Sequence, residues 1–175
     1  MASKSKFHFD TTADKIRALF TAEEYTRKML EISQVSVKTI EINNDGYCTD
    51  MKLECTLGNL PSFLKILPKK ILDHIEGFVI KEEWKERNHM ITGKVTSINN
   101  VFPVTTTTEY ECVNDEDGKG VTMHSITSAN INFSGAAFFM IKPLLNSLKP
   151  AIENFVSEKV NASMVEQEKL IKSML

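Results

Sequence analysis

The apolar positions of this chain change period along its length, and the changes mark its elements. Residues 7–10 alternate as a short first strand, and the hydroxyl of Thr11 or Thr12 can cap a helix whose buried stripe is Ile16, Leu19 and Phe20. A second short helix, over about 22–31, sets Tyr25, Met29 and Leu30 against charged residues on its other side. From Val35 the period is two, and Asn43-Asn44-Asp45-Gly46 is a hairpin signal because these residues tolerate positive φ. On the return strand Tyr47, Thr49, Met51, Leu53, Cys55 and Leu57 share one face while Asp50, Lys52 and Glu54 share the other. That alternation predicts a sheet wet on one side and buried on the other.

Residues 59–77 interrupt the strands with an apolar, proline-punctuated segment carrying Lys65, Lys69 and Lys70, read as helical in pieces. Strands resume over 78–86 and 89–98, then over 104–113 and 121–133 around Asp115-Glu116-Asp117-Gly118. After Ser134-Gly135 the helical period returns, with Ile141, Leu145, Leu148, Ile152, Phe155, Val156 and Val160 as its stripe. Pro143 fits a first turn, where a missing N–H costs nothing, whereas Pro150 predicts a kink or a restart near Ser147. The predicted fold is α+β: a curved antiparallel sheet of about six to seven strands around a long C-terminal helix, with two short helices after the first strand. Residues 1–175 are read as one domain.

A chain of 175 residues can bury roughly 70% of its unfolded surface, enough for a core and a cavity. Its content is 42% hydrophobic and 25% charged, and a net charge of -2 gives no electrostatic reason to expect nucleic acid as a partner. The N-terminus runs from Met-Ala-Ser-Lys straight into Phe7-His8-Phe9 without the apolar core of a signal peptide. The longest apolar run, 136–141, is far short of the ~20 residues that cross a bilayer, so a cytoplasmic location is expected. Cys48, Cys55 and Cys112 form no CxxC pair and suit reduced thiols; seven residues apart on one strand, Cys48 and Cys55 face opposite sides. His8, His74, His89 and His124 match no zinc or iron spacing, and no metal or cofactor is expected.

Leu60-Pro61-Ser62-Phe63, leading through a helical insert to a strand with a central Glu83-Trp84, resembles a poorly characterised branch of the START-related helix-grip superfamily. That superfamily includes polyketide cyclases, plant pollen-allergen proteins and steroid-transfer domains. The branch follows with a Gly-x-Pro-Val turn, where this chain has Val101-Phe102-Pro103-Val104. The resemblance spans nearly the whole chain and is to an architecture more than to a motif. It implies a lipid-sized cavity between sheet and helix and the carriage or sensing of an apolar ligand, with catalysis in a minority. Leu-Pro-Ser before an apolar helix is also similar to the PRELI-type intramitochondrial phospholipid carriers, a reading that adds a protein partner, although their usual N-terminal pattern is absent.

Strand parity names the residues that face the helix. If Trp84 does, so do Ile80 and Glu82, and a carboxylate on an apolar face needs a partner or a raised pKa. The bland alternative puts Glu82 at a wet strand edge beside a lysine. Thr106, Thr108, Tyr110 and Cys112 share one face, as do Met123, Ser125, Thr127, Ala129 and Ile131. Small hydroxyls among apolar residues suit a pocket, while the high strand propensity of threonine also allows a solvent-facing run. The candidate lining is therefore Met51, Leu53, Cys55, Ile80, Glu82, Trp84, Val95, Thr106, Thr108, Tyr110, Met123, Ser125 and Thr127 from the sheet. Leu145, Leu148, Ile152 and Phe155 join it from the helix, and Phe63 and Leu67 from the insert.

Residues 60–75 read as a lid over the mouth of the sheet or as a short amphipathic contact with a membrane. The chain carries no nucleophile elbow, P-loop, dinucleotide fingerprint or HExxH, and no catalytic residue is assigned. Three functions stay open: a binder or carrier of a hydrophobic small molecule or lipid; a cofactor-independent cyclase, isomerase or dehydratase relying on Glu82 and Tyr110 as acid and base; and an interaction protein whose insert docks a partner.

Overall fold

The computed structural model describes residues 2–32, 35–45, 48–57, 77–87, 90–99, 104–131 and 141–175. Along them run β1 (Ala2–Phe9), α1 (Ala13–Phe20), α2 (Glu23–Ile32), β2 (Val35–Asn44), β3 (Cys48–Leu57), β4 (Gly77–Arg87), β5 (Met90–Asn99), β6 (Val104–Asn114), β7 (Val121–Ile131) and α3 (Lys142–Met174). The strands form one seven-stranded sheet in the order β1-β7-β6-β5-β4-β3-β2, antiparallel throughout. β2 to β7 are the expected meander, and β1 adds a strand beside β7.

β1 starts earlier than the expected 7–10. Ser3, Ser5, Phe7 and Phe9 turn inward while Lys4, Lys6 and His8 stay exposed, so the alternation begins at the third residue. Thr12 caps α1 by accepting from the Lys15 N–H at 3.4 Å, and the Ala13 N–H donates to Asn114 Oδ1 at 2.8 Å, which ties the helix start to the end of β6. The β6–β7 turn closes through Gly118 N–H to Asp115 O and Asp115 N–H to Gly120 O, with Gly118 at φ +69°, a conformation that disfavours a Cβ.

The core lies where α1 and the C-terminal half of α3 meet the sheet. Ile16 and Phe20 pack with Trp84, Tyr110, Cys112, Val121 and Met123, closed by Leu170 and Ile171. Each large apolar side chain fully buried there contributes roughly 1.5–3 kcal/mol. Leu145, Ile152 and Val156 form a second cluster near the start of α3 with Val104, Ala129 and Ile131. The apolar stripe of α3 thus runs beyond the expected Val160 to Met164, Leu170 and Ile171. Pro143 sits in the first turn as expected, but α3 does not restart at Ser147: it continues through Pro150, and the Ser147 hydroxyl donates back to Leu144 O at 2.7 Å.

The other face of the sheet is charged. Glu83 lies opposite Lys94, and Lys94 opposite Glu109, an alternation in which each exposed pair is worth well under 1 kcal/mol. A depression of about 610 Å³ on this face is lined by Lys4, Glu83, Lys85, Lys94, Glu109 and Glu111 among others. Its lining is that of a solvated surface, unlike the apolar cavity predicted on the opposite side. Among the described residues no helix is long and apolar enough to cross a membrane, and no cluster of metal-ligating side chains forms.

Candidate functional site

The inner face of the sheet is organised as cross-strand rows. One runs from Trp84 through Gly93, Tyr110 and Ser125 to Ser5, and the next from Glu82 through Val95, Thr108 and Thr127 to Ser3. Toward β1 both rows are polar and internally satisfied: the Ser5 and Ser125 hydroxyls are 2.6 Å apart, those of Thr108 and Thr127 2.9 Å, and Ser3 donates to Asn161 Oδ1 of α3 at 2.7 Å. Toward β4 they end in an aromatic cluster. Phe20 stands edge-on to Trp84 and Tyr110, with centroids 5.3 and 4.9 Å away, and meets Tyr25 at 4.8 Å; Trp84 and Tyr110 stack at 5.8 Å across Gly93. Such pairs add about 0.5–1.5 kcal/mol beyond the area they bury.

Glu82 is embedded beside this cluster, 5% exposed. Burial raises its carboxyl from 4.5 to about 8, opposed by the nearby Trp84 indole, and no lysine or arginine enters. The wet-edge reading of Glu82 therefore fails. Glu82 Oε2 and Trp84 Nε1 are both buried without a hydrogen-bond partner: the indole is near enough to favour the charged carboxylate, but the two do not meet in hydrogen-bonding geometry. Two unsatisfied polar atoms side by side on a buried face are unusual, since each costs about 1–3 kcal/mol.

The neighbouring polar groups are arranged by α3. Gln167 Nε2 donates to the Tyr25 and Tyr110 hydroxyls at 2.9 Å each. Burial raises both phenols above their ordinary range, with Glu82 adding to the effect, so they remain neutral. Because each phenol oxygen accepts from the amide, its own proton is left to donate elsewhere.

Of the predicted lining, Glu82, Trp84, Tyr110, Met123, Ser125 and Thr127 are buried on this face, with Val95, Thr106 and Thr108 half-buried beside them. The threonines are thus not a solvent-facing run. Leu145 and Ile152, buried, and Leu148 and Phe155, half-buried, belong to the second cluster. Met51, Leu53 and Cys55 lie on β3 and Ile80 on β4, with Met51 opposite Ile80, their side chains being outside the described set. Phe63, Leu67 and the rest of the insert lie outside the described residues, as do Val101, Phe102 and Pro103. Phe20, Tyr25 and Gln167 complete the site without having been singled out for it. The signal for Gln167 was there: an amide in register with Met164 and Ile171 interrupts an apolar stripe.

No family model matches the chain, and no characterised protein matches it by sequence. Solved structures do. A protein of Thermus thermophilus aligns over 99% of this chain and 99% of its own, with 12% identity and a TM-score of 0.50. The Zhui aromatase/cyclase of a Streptomyces species aligns over 99% of this chain and 97% of its own, with 10% identity and a TM-score of 0.50. Truncated norcoclaurine synthase of Thalictrum flavum covers 98% of this chain and 92% of its own at 15% identity, with a TM-score of 0.48. The chain has the helix-grip fold: an antiparallel sheet closed on one side by a long C-terminal helix. At these identities the likeness establishes the fold and leaves the function to the site.

Proposed function

We propose that this protein binds a hydrophobic small molecule or lipid between the inner face of the sheet and α3, and carries or senses it. The observation that supports this reading is the pair of unpartnered buried atoms, Glu82 Oε2 and Trp84 Nε1, set among aromatic and apolar side chains. An apolar wall with a few unsatisfied polar groups is what a ligand of mostly hydrocarbon surface and one polar end requires. Burial of the apolar part would drive association at roughly 25 cal/mol per Å² before ordering costs. Leu148 and Phe155, near the start of α3, would face the tail of such a ligand.

Native mass spectrometry of the purified protein, followed by organic extraction, tests it. The expected result is a defined apolar adduct that a folded Leu148→Glu variant no longer retains and a Lys52→Glu variant does. Uptake that survives in folded Leu148→Glu overturns the assignment of the cavity.

A second reading, cofactor-independent acid–base catalysis as in a cyclase, isomerase or dehydratase, is favoured by one observation: Glu82 titrates at about 8, beside two neutral phenols. The two separate at Glu82→Gln, which abolishes turnover in an enzyme and leaves retention of a ligand largely intact in a carrier.

A further inference from the structure

The two ends of the sheet are built differently. β2 ends it on one side with a register shift between Val37 and Thr39, one of the irregularities by which edge strands turn a neighbour away. β1 ends it on the other with eight residues paired to β7 in unbroken register, without a proline, a glycine or a bulge. Among the described residues no strand pairs with the outer edge of β1. That edge is also braced, since the Ser5 hydroxyl meets Ser125 and Ser3 donates to Asn161 of α3, so a partner pays little to order it.

The charges along β1 select the partner. Across the outer face of the sheet the sign alternates from Glu83 to Lys94 to Glu109, but at the edge Lys4 and Lys6 stand beside Ile126 and His124. Neither lysine has a carboxylate within ion-pair reach among the described residues. A second copy of β1 fits poorly: the two central registers of an antiparallel pair set Lys4 against Lys6, or Lys6 against its own copy, and like charges directly opposite destabilise. A strand carrying acidic residues two apart instead continues the alternation. On the inner side Ser3, Ser5 and Phe7 are half-buried, a small and apolar margin that suits uncharged side chains.

We infer that β1 is a docking edge for an extended acidic segment of a partner protein, which adds to the sheet as a further strand with carboxylates opposite Lys4 and Lys6. Backbone hydrogen bonds supply the affinity of such an addition, and the two lysines the choice of partner. The edge is separate from the apolar-ligand site and does not depend on it.

Fluorescence polarisation of labelled octapeptides against the full chain tests this at low ionic strength, where exposed charges are least screened. The probes are alternating valine and glutamate, alternating valine and lysine, and a fully N-methylated form of the first, which cannot pair through its backbone. The glutamate peptide is expected to bind at least about tenfold more tightly than either of the others, and to slow amide exchange within residues 2–9. In Lys4→Glu/Lys6→Glu, checked for folding by circular dichroism, the preference is expected to reverse toward the lysine peptide. Equal binding of the N-methylated form overturns strand addition and leaves only charge attraction. An unchanged preference in the double variant, or no binding of the glutamate peptide, overturns the assignment to β1.

Discussion

The six-membered ring of Trp84 occupies the space that a side chain at Gly93, its cross-strand partner, would need. Gly93 is there for the indole: the ring lies over the β5 backbone and reaches the stack with Tyr110 on β6, two strands away. A Gly93→Ala substitution forces the ring or the strand to move, and overpacking of this kind costs about 1–3 kcal/mol. Urea melts are expected to show that loss, together with a shifted Trp84 emission. Wild-type stability and emission in Gly93→Ala would mean that the ring does not sit over β5.

Gln167 is the buried hinge-pin of the polar cluster, donating to two phenols from one nitrogen. Gln167→Leu keeps the approximate volume and removes both bonds, for an expected loss of about 1–3 kcal/mol. Tyr25→Phe and Tyr110→Phe made in the same background remove the stranded phenols and are expected to recover much of it. A triple variant no more stable than Gln167→Leu alone would show that the bonds carry no such coupling.

How much of this was legible in the chain depends on whether a residue's role is local. The strands of the meander and the shared faces of Thr106 to Cys112 and Met123 to Ile131 follow from a period of two, which any reader of the sequence can count. β1 is longer than its apolar alternation predicts because its first inward residues are Ser3 and Ser5; small hydroxyls give no apolar signal, and only their pairing with Thr127 and Ser125 makes them interior. Glu82 was legible as a carboxylate in register with Trp84, but its lack of a partner depends on what α1, α2 and α3 bring over it. Tyr25 and Gln167 meet across 142 positions of sequence, a contact that no periodicity encodes.

Cys112 is fully buried between Tyr110 and the β6–β7 turn, and burial pushes its thiol up to about 12. Only the thiolate reacts readily, so Cys112 is expected to resist iodoacetamide at pH 8 while the protein is folded and to be alkylated in urea. Peptide mapping by mass spectrometry reads this residue by residue. Rapid native labelling of Cys112 would show that this part of the core opens.

Pro150 lies on an exposed turn inside α3 and cannot donate to the carbonyl four residues back. Pro150→Ala restores that bond and relieves the ring's clash, so stability is expected to rise, by up to about 3 kcal/mol. If ligand exchange also slows in the variant, the proline serves as a point of flexure for the helix over the site; unchanged exchange with raised stability would make it a static feature.

The buried carboxyl gives the protein a pH dependence of definite sign. Glu82 loses its proton near pH 4.5 when unfolded but holds it to about 8 when folded. Below pH 4.5 both states are protonated there, and above 8 neither is. Between those limits the folded state binds one proton more than the unfolded state, so stability falls as pH rises, by up to about 1.4 kcal/mol per unit from this group alone. Other titrating groups contribute to the total, and the difference between wild type and Glu82→Gln isolates this one. Denaturant melts at intervals from pH 4.5 to 8 are expected to show wild type losing stability relative to Glu82→Gln by several kcal/mol in all. Parallel curves for the two proteins would mean that Glu82 is ionised in the fold, and that its carboxylate has found a partner or solvent.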